Sequence, residues 1–403
     1  MDILFMGCMY PRDEIEQIRK NSKTGIQNAA DILQWDYVEG LEKNLQKPVK
    51  ILTRMSLGLY PIRYKKALIR GHRFHHRPDA QDYALGFLNT LPIRPFFFCC
   101  VGVQSAVKWA RTVTGEPKVF IAYSYAMLTV LCAVKRANPR VKTVLVLLDL
   151  PRYTDMAHAN SRVYKIKHGL EEKKLKDSLQ NVDILVPITE QMRNEIDPRH
   201  QIHSVIIDGM VKCRDYIDSP PNDIFTIAYT GTLTRNYGIL DIIDAIGQIK
   251  DKGVRLVICG RGEVEKEVQE AAINDARIIY RGMVSADEAY ACQCSADLLI
   301  NPRKNEGEYT KYSFPSKILQ YMSSGTPVLC YHLDGMCEDY DQFLFYVEQN
   351  ESLAQSIQRI MAMDREYINN RGIQAREYVL HKKSNAAQTK RILEELDKFD
   401  CGR

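Results

Sequence analysis

The chain has 403 residues, of which 45% are hydrophobic and 26% charged, the proportions of an ordinary globular protein with room for two domains that each bury a core. A formal net charge of +5, with no recognised nucleic-acid-binding module beside it, argues against a nucleic-acid partner. Eleven cysteines, an odd number without zinc-type spacing, and a start at Asp2 and the short run Ile3 to Met6 that cannot form a signal segment lead to the expectation of reduced thiols in the cytoplasm.

Asp2 to Gly7 reads as a buried strand, followed by a loop with Gly25 and an amphipathic helix over Ile26 to Leu41. Gly25 is expected either to let backbone approach a diphosphate or simply to form the loop. Val49 to Thr53, Phe96 to Cys100, Val119 to Ala122 and Thr143 to Leu148 are apolar runs of strand length, and Tyr125 to Ala137 has helical spacing. The stretch from Lys43 to Pro78 holds no acidic residue, while Lys43, Lys47, Lys50, Arg54, Arg63, Lys65, Lys66, Arg70, Arg73 and Arg77 are basic. It predicts peripheral attraction to anionic lipid headgroups or a lipid-linked diphosphate, against the plainer reading of a solvated basic loop. His72, His75 and His76 lie in it without a metal-like partner set and are expected at the surface. The longest apolar run, Pro95 to Val107, is interrupted by Gln104 and is too short to span a bilayer. Cys99, Cys100, Cys292 and Cys294 read as packing residues.

Asp149 ends the Thr143 strand, where it would orient an acceptor hydroxyl or cap a helix, and Thr189-Glu190 carries the same two readings. Asp183 to Pro187 and Ser204 to Ile207 close the first unit. Composition then changes over Asp208 to Asp223, where Ser219-Pro220-Pro221-Asn222 is a stiff, non-helical connector. A second alternating series follows at Phe225 to Tyr229, Arg255 to Cys259, Arg277 to Tyr280, Leu298 to Ile300 and Pro327 to Cys330, and the tail from Glu351 to Phe399 is largely helical. Strands alternating with helices imply parallel sheets wound on both faces, twice over.

Several strand ends carry chemistry. Ile227 to Leu233 runs through Gly231 and Thr232 into a tight loop expected beyond the carboxyl end of a sheet, where ligands of such folds bind. Gly260-Arg261-Gly262-Glu263 also follows a strand, but it lacks a third glycine and an acid at the usual distance, which excludes a nicotinamide site. Arg303 is placed to meet phosphate or the nearby Glu306 and Glu308. In Tyr309 to Val328, Tyr312, Ser313, Phe314 and Pro315 precede a short helix beginning near Ser316 and Lys317 and ending at Gly325. The first amides of that helix, its dipole, the Ser316 hydroxyl and the Lys317 ammonium make an anion site, with Gln320 a turn further on.

This last stretch resembles the donor-binding signature of retaining GT-B glycosyltransferases of family four, in the branch that builds bacterial surface polysaccharides. The resemblance implies an α/β GT-B fold with two doubly wound Rossmann-like domains facing a cleft. Residues 1–208 would bind the acceptor, 209–224 link, and 225–380 bind the nucleotide sugar, with a helix over 381–403 crossing back to the first domain. It implies donor contacts from Gly231, Thr232, Gly260, Met283, Val284, Tyr312, Ser313, Phe314, Pro315, Ser316 and Gln320. Catalytic roles fall to Lys317, to Arg235 as the loop cation and to Asp149. The family usually has two glutamates with seven residues between them in the signature, and Tyr312 and Gln320 stand at those positions here. The implied reaction moves a sugar from a nucleoside diphosphate to a glycan or lipid-linked hydroxyl with retention, without metal or other cofactor, in the cytoplasm or on the inner face of the membrane. The competing readings are a catalytically weak nucleotide-sugar-binding partner and a nucleotide-sugar epimerase.

Overall fold

In the computed structural model, which describes residues 1–154, 161–220 and 222–401, the run at Asp2–Gly7 (β1) is the strand around which the first sheet is laid. Lys50–Thr53 (β2) pairs with it on one side, and Lys118–Tyr123 (β7) on the other. Between them come Leu68–Ile69 (β3), His72–Phe74 (β4), Asp82–Ala84 (β5) and Phe87–Leu88 (β6). Beyond β7 come Lys142–Leu147 (β8), Ile184–Pro187 (β9) and His203–Ser204 (β10). The order is β10-β9-β8-β7-β1-β2-β5-β4, parallel except for β4 against β5, with β3 and β6 forming a separate antiparallel pair. The interior strands are continuous apolar runs because both their faces are covered. The covering helices are Ile15–Asn21 (α1), Asn28–Leu45 (α2), Arg94–Arg111 (α3), Leu128–Ala137 (α4), Arg162–Ser178 (α5) and Glu190–Ile196 (α6).

Two expectations fail here. Phe96 to Cys100 is not a strand but part of α3. Its buried positions are Phe98, Gly102, Ala106 and Ala110, four residues apart along one side of a helix, so the apolar run obeys a helical period. Of the last strand expected over Ser204 to Ile207 only Ser204 is regular, as the second residue of β10, although Val205 and Ile207 still donate to the Leu185 and Pro187 carbonyls at 3.0 Å each.

His76 is a third correction, since its side chain is only 7% exposed instead of lying at the surface. Its Nδ1 lies 2.7 Å from Asp82 and its Nε2 2.9 Å from Glu42, and those carboxylates also accept the backbone N–H groups of Ile51 and Val49. Burial opposes charging of the ring, but the bonds to Asp82 and Glu42 outweigh it and raise the pKa to about 9. This contribution is full below the unfolded value near 6.5 and lost as pH rises through about 9. His76→Ala is therefore expected to cost about 3 kcal/mol in urea unfolding at pH 6, shrinking toward pH 9.5. A pH-independent difference would remove the imidazolium from the account.

The second unit spans Gly209–Ser384. Its strands are Phe225–Thr230 (β11), Val254–Cys259 (β12), Ile278–Gly282 (β13), Leu298–Asn301 (β14), Val328–Cys330 (β15) and Phe345–Tyr346 (β16), in the parallel order β13-β12-β11-β14-β15-β16. The helices are Ile239–Gln248 (α7), Glu265–Asn274 (α8), Ala286–Cys294 (α9), Ser316–Ser324 (α10), Leu353–Met361 (α11) and Arg365–Lys382 (α12). One core joins β11, β12 and β14 to α7, α8 and α11 through residues such as Ile227, Ile242, Leu256 and Ile357. Another packs α10, through Ile318, Leu319, Tyr321 and Met322, and α12, through Ala375 and Val379, on the opposite face. Each such fully buried aliphatic side chain contributes about 2 kcal/mol. Residues 209–224 belong to this unit, and Val211 donates to the Lys383 carbonyl at 2.9 Å. Of the expected proline connector, Pro221 lies outside the described residues. The first unit is Met1–Asp208 together with Asn385–Arg403. Its last helix, Asn385–Cys401 (α13), lies on α2, where Asn44 donates to the Ala386 carbonyl at 2.8 Å and to Thr389 Oγ1 at 3.0 Å.

Candidate functional site

In the second sheet the chain goes from β11 outward to β12 and β13, then returns to the other side of β11 for β14, β15 and β16. The loops leaving β11 and β14 therefore diverge, and the crevice they leave beyond the strand ends is where an open α/β sheet holds a ligand. The loops touch at Gly238, where an added Cβ would meet the Pro302 carbonyl oxygen at 2.5 Å.

Lys317, in the first turn of α10, points into this place. Its Nζ donates to Tyr229 Oη at 3.0 Å and lies 4.4 Å from the centre of the Tyr229 ring and 5.5 Å from that of Tyr237. Tyr229 is buried, its own hydroxyl donates to the Thr232 carbonyl at 2.8 Å, and burial raises its pKa, so it stays protonated. Two rings and a hydroxyl do not balance a charge, and among the described residues no carboxylate pairs with Lys317. Desolvation lowers its pKa to about 8. The ammonium runs directly under Gly231, whose φ is +152° and where a Cβ would fall 1.8 Å from Nζ. Glycine at 231 is thus required by the lysine as much as by the turn.

The Gly260 loop supports that floor. Gly231 N–H donates to the Cys259 carbonyl at 2.8 Å, Leu233 N–H to Arg261 at 3.0 Å, and Gly260 N–H to Gly282 at 2.8 Å. At Gly260 φ is +144°, and a Cβ would lie 1.8 Å from the Gly231 carbonyl oxygen. Tyr321, one turn along α10 from Lys317, locks β11 from the other side, its hydroxyl accepting from Thr230 N–H at 3.0 Å. Tyr229 and Tyr321 are the site residues that sequence reasoning passed over, since both read there as ordinary apolar positions of a strand and a helix.

The remaining expected residues divide. Ser316 and Gln320 are exposed on α10, whereas Phe314 is buried against Tyr340 at 5.5 Å. Pro315 sits just before the helix as its N-cap, one position earlier than expected. The amides at the helix start are fewer than anticipated, because Ser316 and Ile318 N–H already donate to the Phe314 and Pro315 carbonyls at 3.0 and 2.8 Å. Arg303 donates to Ser313 Oγ at 2.8 Å, so it steadies the loop before α10 and does not pair with Glu306 or Glu308. Tyr312 is half-buried in the same loop. Arg235 follows Thr232 on the expected loop, but its guanidinium is ion-paired with Glu267 of α8 and its backbone N–H with Glu263 at 2.9 Å. Met283 is exposed and Val284 half-buried beyond β13, next to the Gly282 carbonyl that Gly260 uses.

In the first unit, Asp149 is exposed beyond β8, and it makes no hydrogen bond among the described residues. Thr189 caps α6 through Met192 N–H at 3.1 Å. A Cβ at Gly25 would meet nothing within 4 Å. Among the described residues no three His, Cys, Asp or Glu side chains are arranged to hold a metal ion.

Residues 224–363 match the family model for glycosyl transferases group 1. No curated protein matches the sequence. Among solved structures, the sucrose-phosphate synthase of Thermosynechococcus elongatus aligns over 100% of both chains with a TM-score of 0.68 and 16% identity. Anabaena HepE in complex with UDP aligns over 99% of this chain and 100% of its own, with a TM-score of 0.64 and 13% identity. The lipopolysaccharide outer core galactosyltransferase WaaB, in its apo form, aligns over 99% of both chains with a TM-score of 0.63 and 14% identity. The chain therefore has the two-domain GT-B fold, and its second half carries a glycosyl transferases group 1 domain.

Proposed function

We propose that this protein transfers a sugar from a nucleoside diphosphate to a hydroxyl of a glycan or lipid-linked acceptor, with retention of anomeric configuration, in the building of a surface polysaccharide. The observation that carries the reading is Lys317, a desolvated ammonium without a carboxylate partner among the described residues, set beneath the Gly231 loop at the switch point of the sheet. Such a group is incomplete until an anion arrives, and a leaving diphosphate supplies one. As the bond to the anomeric carbon breaks, negative charge builds on the diphosphate, and the ammonium is already in place to meet it. Ser316 and Thr232 offer hydroxyl groups to the phosphates, Gly231 and Gly260, whose N–H groups are spent on the Cys259 and Gly282 carbonyls, let backbone come close to them, and Met283 and Val284 lie toward the base. Asp149 is the group available to orient the acceptor. The UDP bound to HepE is consistent with this class of donor. An open cavity of about 520 Å³ in the first unit, lined by Ile18, Met55, Leu57, Lys66, Arg70 and Glu14, suits an acceptor that is part apolar and part polar.

The direct test is transfer of radiolabelled sugar from a panel of nucleotide sugars to lipid-linked and soluble glycan acceptors. Transfer from one donor with the α or β linkage preserved is the expected result. Binding without turnover across the whole panel would instead support a nucleotide-sugar-binding partner, a reading favoured by Gln320 in place of an acid and by the pairing of Arg235 with Glu267. Gln320→Glu is expected to tighten donor binding several-fold in calorimetry, since a charged acceptor for ribose hydroxyls gains about 1 kcal/mol over an amide. A large loss of affinity would take Gln320 out of the ribose contact.

A further inference from the structure

The first unit has a surface that the transfer chemistry leaves unused. A loop over residues 58–63 and a second segment, residues 89–97, which runs into the first turn of α3, lie side by side. Tyr60 N–H donates to the Asn89 carbonyl at 3.1 Å, the Asn89 side-chain amide to Gly58 at 2.8 Å, and the Arg94 guanidinium to Leu57 at 2.8 Å, so they form one braced tip. Phe98 anchors its base, 4.5 Å from Phe87, with Arg54 lying over the Phe98 ring. From the tip Ile62 (70% exposed), Leu91 (64%) and Phe96 (69%) stand in solvent, with Tyr60, Ile93 and Phe97 exposed beside them. One exposed apolar side chain is unremarkable on any protein, but six from two adjoining segments, Phe96 and Phe97 among them on the first turn of α3, form a surface that asks for cover.

The cations nearby are sorted. From the basic stretch, Lys47 pairs with Glu116, Lys50 with Asp2, and Arg77 with Glu42 and Asp79. Arg63, Lys65, Lys66, Arg70 and Arg73, which lie in the tip or just after it, are exposed, and none pairs with a carboxylate among the described residues. Of these, Arg63 and Lys65 are on or next to the tip itself, and Lys66 is tied to it through its carbonyl, which accepts from the Asn89 amide at 3.4 Å. No acid occurs between Lys43 and Pro78, and of the two that follow Asp79 pairs with Arg77 and Asp82 is buried against His76.

We propose that this tip docks on an anionic bilayer, with Ile62, Leu91, Phe96 and Phe97 entering the boundary between headgroups and acyl chains while Arg63 and Lys65 hold lipid phosphates. A fluid surface of uniform negative charge over an apolar layer complements both features together. Among the described residues no helix is long and apolar enough to cross a membrane, so the contact is peripheral. It deepens the reading of a lipid-linked acceptor, but its test needs no transfer.

The full-length protein is floated with vesicles of about 30% phosphatidylglycerol in phosphatidylcholine and with phosphatidylcholine alone. Binding to the anionic vesicles, weak binding to the neutral ones and loss at about 0.5 M salt are expected. Phe96→Ser with Phe97→Ser, and separately Arg63→Glu with Lys65→Glu, should each reduce partition about tenfold or more. Lys252→Glu with Lys266→Glu, at exposed positions of the other unit, should not. Unchanged nucleoside diphosphate binding by the tip variants keeps this result separate from the donor reading. Absence of wild-type flotation, or tip variants that float as well as the wild type, overturns the proposal. So does a wild-type dimer that the phenylalanine variant dissolves without vesicles, which would assign the tip to self-association.

Discussion

Replacing Lys317 by methionine is expected to lower the transfer rate about 10²- to 10³-fold, with a folded protein no less stable than the wild type. The rate loss is the size seen when one preorganised group facing a developing negative charge is removed. Stability is spared because the folded lysine is held in a desolvated place that disfavours its charge, and methionine keeps the stem that packs on Tyr229. The pH dependence carries its own sign. The folded pKa is depressed to about 8, so between roughly 8 and 10.5 the unfolded chain binds the extra proton and stability of the free protein rises with pH. Donor affinity runs the opposite way, falling as pH rises through about 8, because the anion binds the ammonium. Calorimetry of nucleoside diphosphate binding near pH 8.5, in buffers of different ionisation enthalpy, should show proton uptake in the wild type and none in Lys317→Met. Equal turnover in the two proteins would end the assignment of Lys317 to the leaving diphosphate.

Gly260→Ala should be the most damaging single methyl in the second unit. The new Cβ would fall 1.8 Å from the Gly231 carbonyl oxygen, backbone against backbone, at a φ of +144°. No side chain can rotate away, so one of the two loops must leave its strand end. A loss of about 3 kcal/mol is expected, lowering the melting temperature by roughly 10 °C. Because Gly231 forms the roof over Lys317, donor binding should fall with it. Gly247→Ala is the matched control, since a Cβ there meets nothing within 4 Å on α7 and should be neutral or stabilising by about 0.5 kcal/mol. Equal melting temperatures for the two variants would mean the two loops move apart freely.

What could be read from the sequence follows the range of the forces involved. The runs at β1, β7, β8, β11 and β12 are legible because strands covered on both faces need apolar side chains at every position, a purely local signal. Phe96 to Cys100 has the same composition and is helical, since five apolar residues do not contain enough turns to show a period. The glycines at 231 and 260 could be recognised as loop formers, but the reason each must be glycine is another segment of chain. Lys317 could be placed at a helix start, whereas its partner Tyr229 is 88 positions away and its role there leaves no local mark. Arg235 and His76 misled for the same reason. Each was judged by its neighbours in sequence, while Glu267 in one case and Glu42 in the other come from different elements.

The return of α13 to α2 has a consequence for biosynthesis. Most of the first unit is encoded before the second, yet the helix that covers Gly40 and Asn44 is made only after the whole of the second unit. Everything the second unit needs emerges before that point. The later-encoded half can therefore reach its native state ahead of the earlier one, which must wait, with one flank bare, until α13 has been made. A chain held on the ribosome with residues up to 384 outside the exit tunnel and α13 still within it should carry a protease-resistant second half and a first half that is still cut.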